Sequence, residues 1–296
     1  MSATEGLPRI GFVGLGNMGW PMARNLHEAG FDLIVRDSLP AVQERFAAEH
    51  PRARCADSAA AFAGADVVVT MLPDGRVVRD AILGWDGGIA AVTGAGSLVL
   101  DMSSSDPSDT LRLAADLEPL GVHVVDAPVS GGVPRAVTGE LAIMVGGSPG
   151  DVDRAQPLLR VLGNPARQFR TGGLGSGHSM KALNNYVAAA TYCATAEALA
   201  IGAKFGLAES TMIGIINEST GRSFVSDVVF GGEVVTGRYA TGFQLGLLAK
   251  DVHIATSIAD AGSLPAPFAA LTDEHWAKAL REIGPAADHS EAHKAW

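Results

Sequence analysis

The stretch "IGFVGLGNMGWPMARNL", residues 10–26, begins as a short apolar run and continues through three glycines into a helical pattern. Gly14, Gly16 and Gly19 give the spacing G-x-G-x-x-G between a predicted strand and a predicted helix. The first glycine permits a tight turn, the second lets backbone approach a pyrophosphate, and the third allows close packing of the helix on the strand. The helix N-terminus offers unpaired N–H groups to the phosphates. Together with Asn17 and Met18, these glycines predict a dinucleotide site; the alternative is an ordinary glycine-rich turn.

Short apolar runs alternate with amphipathic helical patterns through the first half of the chain. Because continuous apolar strands that alternate with helices are typical of a parallel sheet covered on both faces, we predict a doubly wound, mostly parallel α/β domain. This Rossmann domain is expected over residues 1–172. The predicted strands cover residues 9–14, 32–37, 66–72, 97–102, 122–129 and 141–147.

The second half has a different character, with no convincing strand from about Gly175 onward. Residues 180–206 form a long helical pattern that is apolar nearly all round, so we expect this helix to be buried. Further helices are predicted near 208–218, 222–236, 244–262 and 268–281, and the tail 287–296 is polar. We therefore predict an all-α domain over residues 173–296. The stretch "GSGHSMKALNN" (175–185) lies at the joint, where ligand sites are common.

Composition excludes several classes of partner. The 296-residue chain has a net charge of −10 and no basic run, which argues against nucleic acid and anionic membranes. Its apolar runs are too short to span a bilayer, and its N-terminus lacks the pattern of a signal peptide. Cys55 and Cys193 show no metal-ligand or redox spacing and are expected to be reduced core thiols. We expect a cytoplasmic protein without a bound metal.

The end of the second predicted strand, "IVRDSLP", bears on the choice of cofactor. An acidic residue at this place commonly binds the ribose hydroxyls of NAD and repels the 2′-phosphate of NADP. Asp37 therefore predicts a preference for NAD, with NADP possible because the Arg36 side chain could turn toward a phosphate. Alternatively, Asp37 only caps the helix that follows.

Two further loops follow predicted strands and carry candidate polar groups. In "DMSSSDPSD", Ser104 or Ser105 could offer a hydroxyl near the cofactor, and Asp106 could cap the next helix. In "DAPVSGG", the backbone N–H groups of Gly131 and Gly132, with the hydroxyl of Ser130, suit a small carboxylate. Helix capping and an ordinary turn are the alternative interpretations of these two loops.

A lysine on the long apolar helix is the strongest catalytic candidate. Lys181 and Asn185 are four residues apart and share a helix face, which Asn184 flanks. Burial of a lysine among apolar neighbours at a domain joint costs free energy, which favours a functional role for Lys181. A snorkelling or ion-paired lysine is the alternative. Transfer of hydride from an alcohol carbon requires loss of the hydroxyl proton, which a lysine can accept. Asn185 could hold the same hydroxyl in line.

Four stretches, in this order, resemble the signatures of the β-hydroxyacid dehydrogenases, the 3-hydroxyisobutyrate dehydrogenase group, and the resemblance covers nearly the whole chain. They are "GFVGLGNMGWPMARNL" (11–26), "DAPVSGG" (126–132) with "GELAIMVGG" (139–147), "GSGHSMKALNN" (175–185) and "GFQLGLLAKDV" (242–252).

The resemblance implies a Rossmann domain, a long interdomain helix and an all-α domain that forms a homodimer or homotetramer. It implies that the amine at position 181 is the catalytic acid/base, supported by the neighbouring amide, and that the Ser-Gly-Gly turn binds the carboxylate of a small-molecule substrate. The implied contacts are Lys181 and Asn185 for catalysis, Ser130, Gly131, Gly132 and Asn184 for substrate, and Leu72, Pro73, Ser104, Phe243 and Lys250 for cofactor.

The leading hypothesis is an NAD-dependent enzyme that interconverts a short 3-hydroxy acid and its semialdehyde. Candidate acids are 3-hydroxyisobutyrate, 3-hydroxypropionate, glycerate and a 4-hydroxybutyrate-type compound. Imine reductases share the architecture but typically have Asp or Tyr in place of Lys181. A non-catalytic nucleotide-binding module would not need Lys181 and Asn185 on one face. The acid, the physiological direction and the oligomer are not determined by the sequence.

Overall fold

The computed structural model describes residues 6–296, so the first residues, where we expect no signal peptide, lie outside the described part. The chain divides into two compact units, one up to Lys181 and one from Ala182 to Trp296. We call them the sheet unit and the helical unit. The division predicted from the sequence, after residue 172, lies a few residues before the observed one.

Six short parallel strands form the main part of the sheet, in the order β3-β2-β1-β4-β5-β6. Each strand is three or four residues long, and all of them except β3 are rich in buried branched side chains; β1 lies centrally, paired with β2 and β4. Because these strands are parallel, their carboxyl ends meet at one edge, where open sheets bind ligands. The strands are β1 (Ile10–Val13), β2 (Leu33–Arg36), β3 (Ala53–Cys55), β4 (Val67–Thr70), β5 (Leu98–Asp101) and β6 (His123–Asp126).

Three further strands extend the sheet beyond β6. They are β7 (Val129–Ser130), β8 (Leu141–Gly146) and β9 (Gly163–Gly172). Strand β8 is antiparallel to β6 and β7, whereas β9 runs parallel to β8 with two register shifts. The predicted doubly wound, mostly parallel fold is confirmed, but β3 and β9 were not predicted. Strand β3 is only three residues long, and β9 is mostly exposed and polar, so neither has the apolar run on which strand prediction depends.

Helices cover both faces of the sheet because successive strand residues point to opposite sides. Phe12 and Val35 pack in one buried cluster with α1, α2, α6 and α7, whereas Val13 and Ile34 pack in another with α3, α4 and α5. The helices are α1 (Gly19–Glu28), α2 (Pro40–Glu49), α3 (Gly75–Arg79), α4 (Ile89–Thr93), α5 (Pro107–Leu117), α6 (Gly132–Thr138) and α7 (Pro149–Leu162).

The helical unit is built from the helices that the sequence predicts. Helix α8 (Ser176–Ala203) is followed by α9 (Glu209–Asn217), a π-helix (Val225–Val234), α10 (Leu245–Ala261) and α11 (Pro267–Ile283). Tyr192, Phe230 and Trp276 are the largest fully buried side chains of this unit. They belong to a single apolar cluster that joins these helices.

One expectation about α8 is wrong. The helix is apolar nearly all round, yet Val187 and Ile201 are 60% and 63% exposed. The buried residues Ala189, Tyr192 and Ala196 recur every three or four positions, so they cover one face of the helix and leave Val187 and Ile201 on another. Within residues 6–296, no helix is both long and apolar enough to cross a bilayer.

The C-terminal tail is polar in sequence, and it is nevertheless partly buried. Residues His289–Ala295 form a 3₁₀-helix in which His289, Ser290 and Ala292 are buried. The Tyr192 hydroxyl donates to the carbonyl of Ser290 over 2.8 Å and accepts from the backbone N–H of His293 over 2.8 Å. The tail is therefore part of the core of the helical unit.

The two cysteines are both free thiols. Cys193 is buried in the helical unit, and burial raises the pKa of its thiol to about 12, so it stays protonated and unreactive at neutral pH. Cys55 is only partly buried at the end of β3, where its thiol donates to the carbonyl of Gln43.

Candidate active site

The glycine-rich turn after β1 has the geometry that its spacing predicts. Gly14 has φ +98°, and a Cβ there would lie 2.3 Å from the carbonyl oxygen of Met71. A Cβ on Gly19, the first residue of α1, would lie 1.9 Å from the carbonyl oxygen of Gly14. A Cβ on Gly16 would meet no atom within 4 Å. Two glycines are thus required by close packing, whereas Gly16 faces open space.

The carboxylate of Asp37 connects the end of β2 to the glycine-rich turn by a hydrogen bond. One carboxylate oxygen accepts from the backbone N–H of Leu15 over 2.7 Å, and the other accepts from the N–H of Leu39 over 2.9 Å. Leu39 is itself the N-cap residue of α2, and no side chain caps that helix. The Asp37 carboxylate therefore bonds both to the glycine-rich turn and to the N-cap residue of α2, and it is held beside the turn.

Arg36 is engaged within the sheet unit. Its guanidinium carbon lies 4.5 Å from the centroid of the Trp85 ring, and the side chain donates to Gln43 over 3.3 Å and to the carbonyl of Asp37. These contacts hold the guanidinium in a cation–π arrangement. To meet a 2′-phosphate, Arg36 would have to leave Trp85 and Gln43.

The loops after β4 and β5 are tied to each other. The backbone N–H of Leu72 donates to the hydroxyl of Ser103 over 2.9 Å, next to Pro73 and Ser104. Ser104 is partly buried and lies in the loop after β5, as the sequence predicts.

A buried aspartate hydrogen-bonds to the end of β4 and to the loop after β5. Asp101, at the end of β5, accepts from Thr70 over 2.9 Å, from the N–H of Ser103 over 3.0 Å and from the Ser105 hydroxyl over 2.9 Å. Ser105 is thereby buried and structural, so it is not the serine that could offer a hydroxyl to a ligand. The predicted capping of α5 by Asp106 is confirmed, since its carboxylate accepts from the N–H of Ser108.

The Ser130-Gly131-Gly132 turn joins β7 to α6. Gly131 and Gly132 have φ values of +131° and +65°, a backbone path that L side chains rarely adopt. A Cβ on Gly131 would also lie 2.5 Å from the side chain of Arg135. The two glycines are therefore required by the turn itself, which leaves Ser130 partly exposed at its edge.

The glycines before Lys181 let α8 begin against the sheet. Gly175 has φ +86°, and its N–H donates to the Asp126 carboxylate over 2.8 Å. A Cβ on Gly177 would lie 2.4 Å from the carbonyl oxygen of Met144 and 2.8 Å from Asp126. Asp126, fully buried at the end of β6, thus satisfies N–H groups at the start of the helix that carries the lysine.

Lys181 and Asn185 are one turn apart on α8, as predicted. Lys181 is partly buried, and Asn185 is buried. The Asn185 amide donates to the carboxylate of Asp251 over 2.6 Å, and its carbonyl oxygen accepts from the exposed Asn184 over 3.1 Å. The direction of the Asn185 carboxamide is therefore fixed, because a carboxylate can only accept.

Helix α10 carries the other predicted residues of the helical unit. The Lys250 amine lies 3.5 Å from the carboxylate of Asp251, which is 2% exposed. Asp251 was missed by the sequence analysis, although it directly follows Lys250 in the "LLAKDV" stretch. Phe243 lies just before α10 and packs its ring against His289, 5.7 Å between centroids.

The predicted residues divide between the two units, and the sheet unit also contains Ser130, Gly131, Gly132 and Lys181. The carboxyl edge of the sheet carries the glycine-rich turn, Asp37 and the loops after β4 and β5. The helical unit carries Asn184, Asn185, Phe243 and Lys250 on or beside α8 and α10. Among residues 6–296, no three His, Cys, Asp or Glu side chains are grouped as metal ligands.

Two models of known protein families match the chain, one over each half. Residues 9–173 match the model of the NAD binding domain of 6-phosphogluconate dehydrogenase. Residues 175–296 match the model described as NAD-binding of NADP-dependent 3-hydroxyisobutyrate dehydrogenase.

The chain belongs to the β-hydroxyacid dehydrogenase family.

Characterised relatives extend over most of this β-hydroxyacid dehydrogenase. The 2-(hydroxymethyl)glutarate dehydrogenase of Eubacterium barkeri is 35% identical, over 90% of this chain and 87% of its own. The mitochondrial 3-hydroxyisobutyrate dehydrogenase of Rattus norvegicus is 38% identical, over 86% of this chain and 77% of its own. The structure of Mycobacterium tuberculosis 3-hydroxyisobutyrate dehydrogenase with L-serine superimposes with a TM-score of 0.85, at 30% identity, and covers 97% of this chain and 98% of its own. The protein is therefore an NAD(P)-dependent hydroxyacid dehydrogenase.

The sheet edge of this dehydrogenase fits a dinucleotide. Gly16 leaves open space where any other side chain would begin, and the N-terminus of α1 has no side-chain cap. An uncapped helix end of this kind is suited to phosphate. The cofactor is NAD, with NADP possible, as predicted.

Proposed function

We propose that this enzyme interconverts a 2-substituted 3-hydroxypropanoate and its semialdehyde with NAD, and that Lys181 is the general acid/base. The observation that carries the proposal is the pairing on α8 of Lys181 with Asn185, whose amide is held by the buried Asp251. A nucleotide-binding module without catalysis would have no use for an amide fixed in this way one turn from an amine.

The substrate class follows from what the relatives have in common. 3-Hydroxyisobutyrate and 2-(hydroxymethyl)glutarate both contain a primary alcohol on the carbon next to the one that bears the carboxylate. L-Serine, present in the Mycobacterium tuberculosis structure, has the same unit with an amino group as the substituent. The substituents differ in size and charge, so the shared HO–CH₂–CH–COO⁻ unit defines the class.

In the direction of oxidation, the hydroxyl of this unit loses its proton to the neutral amine of Lys181. The C3–H bond breaks with its electron pair, a C=O bond forms, and the lysine becomes an ammonium; the reverse reaction returns the proton to the developing alkoxide. NAD⁺, when bound, accepts the hydride. Asn185 orients the hydroxyl, and the turn at Ser130, Gly131 and Gly132 binds the carboxylate.

In the sheet unit, the residues that would hold the cofactor lie along the carboxyl edge of the sheet; Phe243 and Lys250 of the helical unit stay predicted cofactor residues. The glycine-rich turn would take the pyrophosphate, Asp37 the adenosine ribose, and the loops after β4 and β5 the nicotinamide half. The set is Gly14, Gly16, Asn17, Met18, Gly19, Asp37, Leu72, Pro73, Ser104, Phe243 and Lys250.

The same edge favours NAD over NADP. Asp37 places a negative charge beside the turn, and Arg36 is occupied by Trp85 and Gln43. A carboxylate close to the ribose disfavours a 2′-phosphate by charge repulsion. The preference for NAD is proposed despite the NADP-dependent enzymes named in the second family model.

An imine reductase is the alternative enzyme of this fold. We set it second because Lys181 stands where the imine reductases typically have Asp or Tyr. Activity toward cyclic imines and none toward hydroxy acids would reverse this order.

Homo-oligomerisation is proposed on the exposed apolar side chains of the helical unit. Phe205, Phe224 and Phe268 are large and mostly solvent-exposed, as are Val187 and Ile201 of α8. Large aromatic side chains are enriched at subunit interfaces relative to the rest of a protein surface. A homodimer or homotetramer measured by light scattering would support the proposal, and a monomer at micromolar concentration would contradict it.

The substrate class is tested with a panel of small hydroxy acids and semialdehydes, with reduced cofactor followed by absorbance and NAD compared with NADP. We expect activity with the 3-hydroxyisobutyrate, L-serine and 2-(hydroxymethyl)glutarate type and little with secondary alcohols such as lactate.

The role of the lysine is tested by Lys181→Ala. We expect kcat to fall by about 100-fold or more, the scale of a lost general acid/base, with cofactor affinity nearly unchanged. Lys204→Ala, in the exposed turn after α8, is the matched control. A Lys181→Ala enzyme with near wild-type kcat would remove Lys181 from the chemistry.

A further inference from the structure

A fully buried histidine lies in the first turn of α8, three residues before Lys181. His178 is 1% exposed, and both ring nitrogens are hydrogen-bonded. Nε2 lies 3.1 Å from the carbonyl oxygen of Ser103, and Nδ1 lies 2.8 Å from the hydroxyl of Thr110. Since a carbonyl only accepts, Nε2 carries a hydrogen, and Nδ1 can accept from the threonine.

The ring is hydrogen-bonded to Ser103, which also bonds to Leu72. Ser103 thus links the loops after β4 and β5, the nicotinamide loops, where we propose that the nicotinamide half of the cofactor binds. Ser103 receives the His178 ring at its carbonyl, while its hydroxyl accepts from the N–H of Leu72 over 2.9 Å. Its own N–H donates to Asp101 over 3.0 Å. A short chain of hydrogen bonds therefore leads from Leu72 through Ser103 to the ring of His178.

The backbone of His178 is fixed independently of its ring. Its N–H donates to the Asp126 carboxylate over 2.8 Å, and the same carboxylate accepts from Gly175. The start of α8 is thus already capped, so the imidazole is not needed to begin the helix. An apolar side chain could fill the same space without the cost of burying a polar ring. The ring also lies 3.7 Å from a carboxylate oxygen of Asp101 and 3.9 Å from one of Asp126.

We infer that His178 is a positioning residue for the reaction. Capping by Asp126 fixes where α8 begins, and the ring bonds to Ser103 and Thr110 fix the rotation of its first turn against the nicotinamide loops. Residues three apart on a helix lie on neighbouring parts of one face, so this rotation sets the position of the Lys181 side chain. The inference rests on the proposed role of Lys181 as acid/base.

The test compares two substitutions at one position. Glutamine can donate an amide N–H to Ser103 and accept from Thr110, as the imidazole does, whereas leucine fills the space with neither bond. We expect His178→Leu to lower kcat by about tenfold or more, since small displacements of a catalytic group are costly, while KM for the hydroxy acid changes by less than about threefold. His178→Gln is expected to recover kcat to within about threefold of wild type.

Controls separate positioning from folding. His123→Leu replaces a largely exposed histidine on β6 of the same unit and should leave kcat unchanged. Kinetics are measured well below the melting temperature of each variant. Should His178→Leu not fold, Thr110→Val removes the partner of Nδ1, together with a longer bond of 3.3 Å from the same hydroxyl to the carbonyl of Asp106, and is expected to lower kcat by about threefold to tenfold. A wild-type kcat in His178→Leu, or in Thr110→Val if His178→Leu does not fold, overturns the inference, as does a glutamine variant no better than the leucine one.

A double-mutant cycle with Lys181→Ala separates this inference from the proposed function. If His178 acts through Lys181, His178→Leu has little further effect on single-turnover hydride transfer once Lys181 is alanine. Effects that multiply would overturn the inference and leave the acid/base role intact. An active Lys181→Ala enzyme would instead contradict the proposed function and, with it, the route through Lys181.

Discussion

The two units hold their functional residues in different ways. In the sheet unit, Gly14 and Gly19 belong to one turn, and Asp37 reaches a backbone N–H only 22 residues away. In the helical unit, Asn185 depends on an aspartate 66 residues away, and Thr241 depends on one 47 residues away. The glycine-rich turn is set by backbone geometry that a short motif encodes, whereas the positions of Asn185 and Thr241 depend on side-chain contacts between distant segments.

This difference determines what a substitution should do in each unit. A glycine or turn residue at the sheet edge affects a local loop and the ligand that binds there. A buried carboxylate in the helical unit connects two or more segments, so its loss should affect stability and the orientation of more than one residue.

The strongest test of this contrast is Asp288→Ala in the tail. Asp288 accepts from the Thr241 hydroxyl and the Gly242 N–H, both at 2.8 Å, and from the N–H and hydroxyl of Ser290 at 3.0 and 2.6 Å. Removal of the carboxylate leaves these donors without their partner, and we expect the free energy of unfolding to fall by about 3 kcal/mol in urea titrations. Asp260→Ala, an exposed aspartate at the end of α10, should change it by less than about 0.5 kcal/mol. Equal losses of unfolding free energy in the two variants would contradict the difference between the units.

The same carboxylate predicts a dependence on pH. Burial raises the pKa of Asp288, but hydrogen bonds from Ser290, Thr241 and Gly242 outweigh it and hold the pKa below its ordinary value. A lowered folded-state pKa contributes stability above the unfolded value, about 3.9, and loses it as pH falls through the folded value. The gap in unfolding free energy between wild type and Asp288→Ala should therefore be constant from pH 5 to 7 and narrow below about pH 4. A gap that widens on acidification would contradict this.

A smaller effect is expected for Asp251→Asn. The substitution keeps the shape of the side chain but removes the charge that holds the Asn185 amide and the Lys250 amine. We expect kcat to fall by about tenfold, the equivalent of one buried charge-assisted hydrogen bond of about 1.4 kcal/mol. Asp273→Asn, which removes a carboxylate bonded to His253 and Thr256 on the neighbouring helix, is the control. Unchanged kcat in both variants would mean that the direction of the Asn185 amide is irrelevant to turnover.

An effect of similar size is expected at the sheet edge, for Asp37→Ala. Loss of the carboxylate frees the Leu15 N–H and removes the charge beside the ribose, so KM for NAD should rise and the preference for NAD over NADP should narrow by about tenfold. Asp32→Ala, an exposed aspartate just before the same strand, should leave the preference unchanged. The cofactor preference is obtained from kcat/KM with each dinucleotide, and a constant ratio would show that Asp37 only fastens the turn.

The features predicted from the sequence depend on local patterns, and those that were missed depend on distant segments. The glycine spacing, the strand ends and the pairing of Lys181 with Asn185 are local patterns, and the fold and the family followed from them. Asp251 and Asp288 become interpretable only when segments 66 and 47 residues apart are brought together. The burial of the tail was not predicted, because its polar residues are satisfied by bonds to distant segments, such as the one between Tyr192 and Ser290. Hydrophobic periodicity carries no information about such bonds.

The place of the tail also bears on how the chain folds during synthesis. Domains generally fold as units, N-terminal first, while the chain emerges from the ribosome. Every strand of the sheet has been translated by Gly172, so the sheet can form early, whereas Tyr192 and Thr241 wait for partners at residues 288–293. We expect the helical unit to remain incompletely folded, and exposed to proteases, until residues 288–293 have left the exit tunnel.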